Sequence, residues 1–216
     1  MKKDIYIFGT RENAECAFYD ITKYDINAQL CGFIEDNPII NSKFDLPVYS
    51  TKNFLDLNLQ NKISLFLPLS KNKIREKIYI KFKNLGYKFY TFISPMANVA
   101  DNVLIGENSY IQEYNNIQFG CVIGNNCILW ASNHIGHHGK IGNSVFLASH
   151  VCISGRNIIG DRSYFGSNST TRDGLNICDE TILGMASSLI SNTKKSGVYV
   201  GNPAKLKIPS KIERYI

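Results

Sequence analysis

The sequence predicts two domains of different class, an α/β domain with a small parallel sheet followed by an all-β parallel β-helix. A bulky apolar residue recurs at every sixth position from Ile93 to Leu189, with a single departure at Thr171. A helix repeats at about 3.6 residues and a strand at 2, so a strict period of six indicates a chain that turns a corner in every repeat. Before Ile93 this period is absent, and apolar runs alternate with segments of helical spacing.

In the first domain, strand and helix patterns alternate along the chain. The apolar runs at 4–9, 29–36, 62–69 and 87–93 predict strands, and the spacing at 14–24 and 72–86 predicts helices. This alternation is typical of a Rossmann-like parallel sheet with helices on its faces.

Ligands of such sheets bind at the carboxyl ends of the strands. The residues at these ends are the candidate substrate contacts Gly9, Thr10, Arg11, Glu35 and Asp36. The segment GTRENA after the first strand lacks the full GxGxxG pattern, so a tight turn without a ligand is the alternative.

In the second domain, three repeats of six complete one triangular coil. Residues i and i+18 should therefore stack as neighbouring parallel strands about 4.8 Å apart. We expect the apolar residue of each repeat to point into the core. A thin column has flat faces with little to cover them, so we also expect self-association. Glycine often follows the apolar residue, where a corner should leave no room for a Cβ, at Gly106, Gly124, Gly136, Gly142, Gly160, Gly166 and Gly184.

The change of pattern places the boundary near Ser94-Pro95 and gives domains at 1–92 and 93–193. After Leu189 the period ends, and residues 194–216 are expected to form a loop and a basic tail that could end in a short helix.

Composition restricts the function classes. The net charge of +6 suits anionic small molecules, but lysine and arginine form no dense run with aromatic residues, which argues against nucleic-acid binding. No apolar run approaches the ~18 residues of a membrane span, and the start is unlike a signal peptide, so we expect a cytoplasmic protein without membrane insertion. The six cysteines lack CxxC pairs and are interpreted as buried thiols.

The four histidines, His134, His137, His138 and His150, lie within seventeen residues of each other. One imidazole could act as a general base at neutral pH. Three neutral imidazoles could instead hold a zinc ion, as in hydratases. Surface histidines without a role are the third interpretation.

The hexads, the segment HIGHHGKIG and the closing GVYVGNPAK together resemble the left-handed β-helix sugar acyltransferases, specifically the sialic acid O-acetyltransferase and bacillosamine N-acetyltransferase family. The resemblance implies a left-handed β-helix, a homotrimer, and acetyl-CoA as co-substrate without a metal. It also implies N-acetylation of a nucleotide-linked amino sugar for surface glycans such as lipopolysaccharide, capsule or glycoprotein. O-acetylation of a sugar hydroxyl, as in sialic acid, is the alternative, and a zinc hydratase of the carbonic anhydrase type on the same fold is a remote one.

Matched onto the family, His137 is the general base. The family usually has Asp or Glu next, where this chain has His138, a candidate orienting partner; His134 is a candidate substrate contact. Trp130, where some members have Asn, is a further candidate for substrate binding. The first domain would hold the nucleotide, although it lacks the Gly-His-Gly segment of close family members. The candidate acyl-CoA contacts are Phe146, where some members have a second histidine, Ser149, Ser167, Met185, Asn202, Pro203 and Lys205, with Lys194 and Lys195 as further candidate phosphate partners.

Overall fold

The computed structural model describes residues 2–207 and divides the chain into two compact units. The first contains Met1–Ser70 and Ile74–Thr91, and the second contains Lys71–Lys73 and Phe92–Ile216. No helix in the described part of the chain is long and apolar enough to cross a membrane.

The first unit is an α/β sheet. Its elements, in chain order, are β1 (Lys3–Phe8), α1 (Glu12–Tyr24), β2 (Ala28–Glu35), β3 (Ser42–Lys43), β4 (Leu46–Ser50), α2 (Thr51–Asp56), β5 (Ser64–Phe66), α3 (Asn72–Asn84) and β6 (Lys88–Phe89). The strand order is β3-β4-β2-β1-β5-β6, and all pairs are parallel except β3 with β4. The predicted parallel α/β class is therefore confirmed.

The apolar runs explain this sheet, because its central strands are buried on both faces. Ile5 and Ile7 in β1, Phe33 and Ile34 in β2, and Leu65 in β5 are fully buried. The predicted strand at 87–93 is wrong as a single element. It is two short strands, β6 and a strand at Phe92–Ile93 that belongs to the second unit.

The second unit is a parallel β-helix of short strands, nearly all two residues long. They are β7 (Phe92–Ile93), β8 (Asn98–Val99), β9 (Leu104–Ile105), β10 (Tyr110–Ile111), β11 (Asn116–Ile117), β12 (Val122–Ile123), β13 (Ile128–Leu129), β14 (His134–Ile135), β15 (Lys140–Ile141), β16 (Phe146–Leu147), β17 (Cys152–Ile153), β18 (Ile158–Ile159), β19 (Tyr164–Phe165), β20 (Thr170–Thr171), β21 (Asn176–Ile177), β22 (Thr181–Leu183) and β23 (Ser188–Leu189).

Every third strand pairs, which builds the three sheets of the column. Ile111 lies opposite Leu129, and Leu129 opposite Leu147, so the predicted stacking of residues eighteen apart is confirmed. The predicted apolar positions from Ile111 to Leu189 are buried in one core. The first position departs from the prediction, because Ile93 lies at the end of the column and is 40% exposed.

Thr171, the departure in the apolar series, is also buried, and its hydroxyl is paired. The Oγ1 atom accepts hydrogen bonds from Asn157 Nδ2 at 2.9 Å and from the backbone N–H of Ser154 at 3.2 Å. A buried hydroxyl with these partners avoids the cost of an unsatisfied polar group.

The corners need two different kinds of residue. The third residue after each apolar position from Ile105 to Leu183 has a left-handed backbone, for example His138 with a φ of 58° and His150 with a φ of 61°. The glycines directly after the apolar residue are needed for close approach instead, as predicted: a Cβ at Gly136 would lie 2.5 Å from the backbone nitrogen of Gly155 in the next coil.

The segment after Leu189 differs from the predicted loop. It contains β24 (Gly197–Gly201), which pairs parallel to β22, and β25 (Ala204–Lys207), which pairs antiparallel to β24. The continuous apolar run VYV explains the strand, and its adjacent residues Val198 and Tyr199 are both buried. The predicted terminal helix falls largely in 208–216, outside the described residues.

Burial of the cysteines is only partly as expected. Cys121 and Cys127 are buried, whereas Cys152, on the outer side of β17, is exposed.

Candidate active site

The histidine pair His137 and His138 lies at the corner between β14 and β15. The chain turns there through residues 136–139, and His138 has a left-handed backbone. The side chains of His137 and His138 lie next to each other at this corner. His137 is half-buried and His138 is exposed.

The two imidazoles contact each other directly. His137 Nδ1 and His138 Nδ1 are 3.2 Å apart, and the rings are nearly perpendicular at 82°, with centroids 5.4 Å apart. Only one of two neutral nitrogens can carry the proton in such a contact. The pair therefore shares one N–H···N hydrogen bond, and the Nε2 atom of each ring takes no part in it.

Neighbouring coils hold both rings in place. A Cβ at Gly155 would lie 2.8 Å from Cε1 and Nε2 of His137, so this imidazole packs directly on the glycine backbone. A Cβ at Gly120 would lie 2.9 Å from Cδ2 of His138, whose ring also contacts Phe119 edge-to-face. The backbone N–H of His137 donates to Gln118 Oε1 at 3.0 Å.

The other two histidines lie elsewhere on the column. His134 is in β14, half-buried, between Asn116 and Cys152 of the neighbouring strands. His150 is at a different corner and is exposed. Among residues 2–207, no three His, Cys, Asp or Glu side chains form a group that could hold a metal ion.

The predicted acyl-CoA column forms a stack at the corner that follows β16. Ser149, Ser167 and Met185 occupy successive coils: the backbone of Asn168 donates to Ser149 O, and that of Ala186 donates to Ser167 O. Met185 is 75% exposed and lines a cavity of about 580 Å³ in the second unit.

This cavity, which we call the hairpin cavity, lies between β19, β22 and the β24–β25 hairpin. It contains the predicted residue Asn202, whereas Pro203 and Lys205 are not among its lining residues. Burial raises the pKa of the Tyr164 phenol in its wall, so this hydroxyl stays protonated at neutral pH. The lining residues are Tyr164, Gly166, Ile182, Gly184, Met185, Ala186, Ser187, Val198, Val200, Gly201, Asn202 and Lys207.

Phe146 and Trp130 lie together on one sheet of the column. Phe146 is buried and stacks on Tyr164, with ring centroids 5.3 Å apart, and Trp130 packs against Phe146 at 6.4 Å. The indole Nε1–H of Trp130 is buried and has no hydrogen-bond partner within residues 2–207. Lys194, Lys195 and Lys205 are exposed.

In the first unit, four of the five predicted substrate residues line one cavity of about 320 Å³: Gly9, Thr10, Arg11 and Glu35. It lies at the carboxyl ends of β1, β2 and β5, beside the start of α1, and the hydroxyl of Thr10 donates to Glu35. The fifth, Asp36, instead accepts a hydrogen bond from Thr51 Oγ1 at 2.6 Å and is not among the lining residues.

The sequence reasoning missed the residues that surround the histidine pair: Gln118, Phe119, Gly120 and Gly155. The stacking period could have found three of them, because Phe119 and Gly155 lie eighteen residues from His137, and Gly120 lies eighteen from His138. It also missed Val198, Val200 and Lys207 in the hairpin cavity, since that segment was predicted as a loop.

Comparison with known proteins supports the fold in detail. The family model for the hexapeptide repeat of succinyl-transferase matches residues 99–131 and 156–189. A variant of perosamine N-acetyltransferase from Caulobacter crescentus, solved with CoA and GDP-perosamine, is 21% identical with a TM-score of 0.87, over 94% of this chain and 96% of that one. The acetyltransferase domain of PglB from Neisseria gonorrhoeae FA1090, solved with acetyl coenzyme A, is 20% identical with a TM-score of 0.86, over 96% of this chain and 100% of that one. WeeI from Acinetobacter baumannii AYE is 19% identical with a TM-score of 0.72, over 95% of this chain and 100% of that one.

The chain therefore contains hexapeptide repeats at 99–131 and 156–189. Its fold combines an α/β domain with a left-handed parallel β-helix. Its fold is that of perosamine N-acetyltransferase from Caulobacter crescentus and of the PglB acetyltransferase domain. This confirms the predicted resemblance to the left-handed β-helix sugar acyltransferases at the level of repeat and fold.

Proposed function

We propose that this protein is an acetyl-CoA-dependent N-acetyltransferase that acts on the amino group of a nucleotide-linked amino sugar, in the cytoplasm, for surface glycan synthesis. The observation that carries the proposal is the imidazole of His137, held at a corner of the β-helix by Gly155 and His138. It is supported by structures of the same fold that contain CoA with GDP-perosamine, or acetyl coenzyme A.

His137 is the general base of the proposed reaction. The sugar nitrogen attacks the thioester carbonyl and must lose a proton as the C–N bond forms. The Nε2 atom of His137 can accept this proton when its Nδ1 carries the hydrogen that is shared with His138. A positioned general base contributes about 10²–10⁴-fold to the rate of such a step.

We propose that the backbone of Gly155 stabilises the oxyanion through its N–H. It lies against the Nε2 edge of His137, and its N–H has no acceptor among the described residues. A fixed N–H aimed at the developing negative charge of the tetrahedral intermediate stabilises it without reorganisation. The thiolate of CoA then leaves as the C–S bond breaks, and no covalent enzyme intermediate is needed.

The hairpin cavity and the Ser149, Ser167 and Met185 column would hold the pantetheine and the nucleotide end of acetyl-CoA. The cavity wall is mostly apolar, and Lys207 adds a positive charge at its edge. An apolar groove with few polar groups suits the long pantetheine arm, and the lysine suits a phosphate. In the first unit, the cavity around Arg11 and Glu35 would hold the nucleotide of the acceptor sugar.

We also propose a homotrimer. On the outer side of the five-stranded sheet of the column, Leu104, Val122 and Ile158 are 66%, 37% and 49% exposed. Leu104 stacks directly on Val122, and Ile158 lies in the same row after the exposed Lys140. A row of exposed apolar side chains on a flat sheet suits burial against another copy. Light scattering of the purified protein would measure the assembly, and a monomer would contradict it.

The activity is tested with a panel of nucleotide-linked amino sugars and acetyl-CoA, with release of free thiol as the readout. We expect His137→Ala to lower the rate about 10²–10⁴-fold without a change in thermal stability. His150→Asn is the matched control, because asparagine tolerates the left-handed backbone at that other corner.

Two results would contradict the proposal. Near wild-type turnover by His137→Ala would exclude His137 as the base. Turnover only of acceptors that offer a hydroxyl, with a base-labile ester as product, would assign O-acetylation instead.

A further inference from the structure

The exposed imidazole of His138 contacts the proposed base through one ring nitrogen, and its other nitrogen takes no part in that contact. Its Nδ1 atom is 3.2 Å from His137 Nδ1, and its side chain is exposed. An orienting carboxylate can only accept the Nδ1–H of a base. A second imidazole can also accept that proton on one nitrogen and release a different proton from the other.

We propose that His138 is a proton relay that connects His137 to water. The inference rests on the proposed acetyl transfer. As the C–N bond forms, His137 Nε2 takes the proton of the sugar nitrogen, and the Nδ1–H of His137 moves to His138 Nδ1. His138 then releases its Nε2–H to water, and the departing CoA sulfur takes a proton from water. At this point both rings are in the opposite tautomers. The starting pair is restored when His137 releases its Nε2–H to water, the Nδ1–H of His138 moves back to His137 Nδ1, and His138 Nε2 takes a proton from water. Over the whole cycle the proton of the sugar nitrogen is balanced by the proton that the CoA sulfur gains.

The local structure fixes His138 in the geometry that this transfer needs. Its backbone has a φ of 58° and its N–H donates to Phe119 O at 2.9 Å. The ring lies over Gly120, where a Cβ would approach Cδ2 to 2.9 Å, and against the edge of the Phe119 ring. These contacts restrict the ring on the side away from His137, so its Nδ1 stays directed at the base.

His138→Gln separates relay from orientation. The amide oxygen of glutamine can accept the Nδ1–H of His137, but an amide does not pass a proton on. We expect the kcat of this variant to fall about tenfold or more, because the Nδ1 proton of His137 can no longer pass through His138 to water. The KM values should stay within about threefold of those of the wild type. Added free imidazole should raise the kcat of His138→Gln and of His138→Ala, and should leave that of the wild type unchanged.

A wild-type kcat in His138→Gln would overturn the relay and leave His138 as an orienting group only. A loss that imidazole does not restore would also overturn it, because a disturbed corner is not repaired by a small base. Thermal unfolding of each variant shows whether the corner is intact.

The direction of the hydrogen bond can be measured without any turnover. Proton–nitrogen NMR correlations of the histidine rings in the wild type, in mildly alkaline buffer, should show His137 protonated at Nδ1 and His138 protonated at Nε2. The opposite pair of tautomers would overturn the relay. If the wild type acetylates none of the amino sugars, the proposed function fails, and this NMR result still reports on the pair independently.

Discussion

Replacing Gly155 with alanine tests how closely the β-helix backbone positions the base. The new Cβ would lie 2.8 Å from Cε1 and Nε2 of His137, and ordinary contact begins at 3.4 Å, so the imidazole must move by about 0.6 Å. A displacement of about 1 Å at a reacting group can lower the rate about 10²-fold. We therefore expect kcat to fall between about tenfold and a hundredfold, equivalent to about 1.4–2.7 kcal/mol in the activation barrier.

The fold itself does not require glycine at this position. The equivalent residue, two after the apolar position, is Asn125, Ala131, Ser149 or Asp173 in other repeats. The assay is steady-state kinetics of thiol release, with thermal unfolding measured in parallel. Asp173→Ala, in the next coil of the same column, is the control and should change neither. An unchanged kcat in Gly155→Ala would refute the reasoning. So would a double variant whose loss of activity is the full sum of the Gly155→Ala and His137→Ala losses, since the glycine would then not act through the imidazole.

Two further predictions concern the stability of the column. Thr171→Val should destabilise by about 1–3 kcal/mol in denaturant unfolding although it completes the apolar series, because the backbone N–H of Ser154 loses its acceptor. Asn157 loses one of three acceptors and keeps the carbonyls of Ser154 and Arg172. An equal or greater stability would contradict this. The pKa of Glu180 is lowered, first by its hydrogen bond from Lys73 and further by Arg162. The ionised carboxylate therefore stabilises the folded protein fully above the pKa of the unfolded state, and this contribution is lost as the pH falls through the pKa of the folded state. Glu180→Gln should therefore lose stability at neutral pH and show a shallower decline in acid, which unfolding at a series of pH values would measure.

The sequence predicts the column well because a single physical requirement is repeated in it. Each coil buries one apolar residue per sheet, so the period of six is set by packing alone, and even Thr171 keeps its inward position. The end of the column is less predictable. Ile93 has the right residue type but no complete coil below it, and burial depends on neighbours that a local pattern does not contain.

Segments stabilised by long-range pairing were the least predictable. The hairpin β3–β4 has only a short apolar pattern, and its turn places Phe44 at a φ of 49°, where stacking on the Phe18 ring at 4.3 Å supports it. Likewise, β24 depends on pairing with β22, which precedes it by more than ten residues. In both cases the stabilising contact lies outside the window in which periodicity is read.

The histidine site shows why spacing along the chain is the wrong measure of distance in this fold. His134 and His137 are three residues apart, yet one belongs to a sheet and the other to a corner. Gly155, eighteen residues away, lies against the His137 ring. A residue in a β-helix has its nearest neighbours in the coils before and after it. Substitutions eighteen residues from His137 and His138 should therefore affect the proposed reaction more than most substitutions within the same coil. Kinetics of Phe119, Gly120 and Gly155 variants against variants of Asn133 and Lys140 would decide this, and equal effects in the two sets would contradict it.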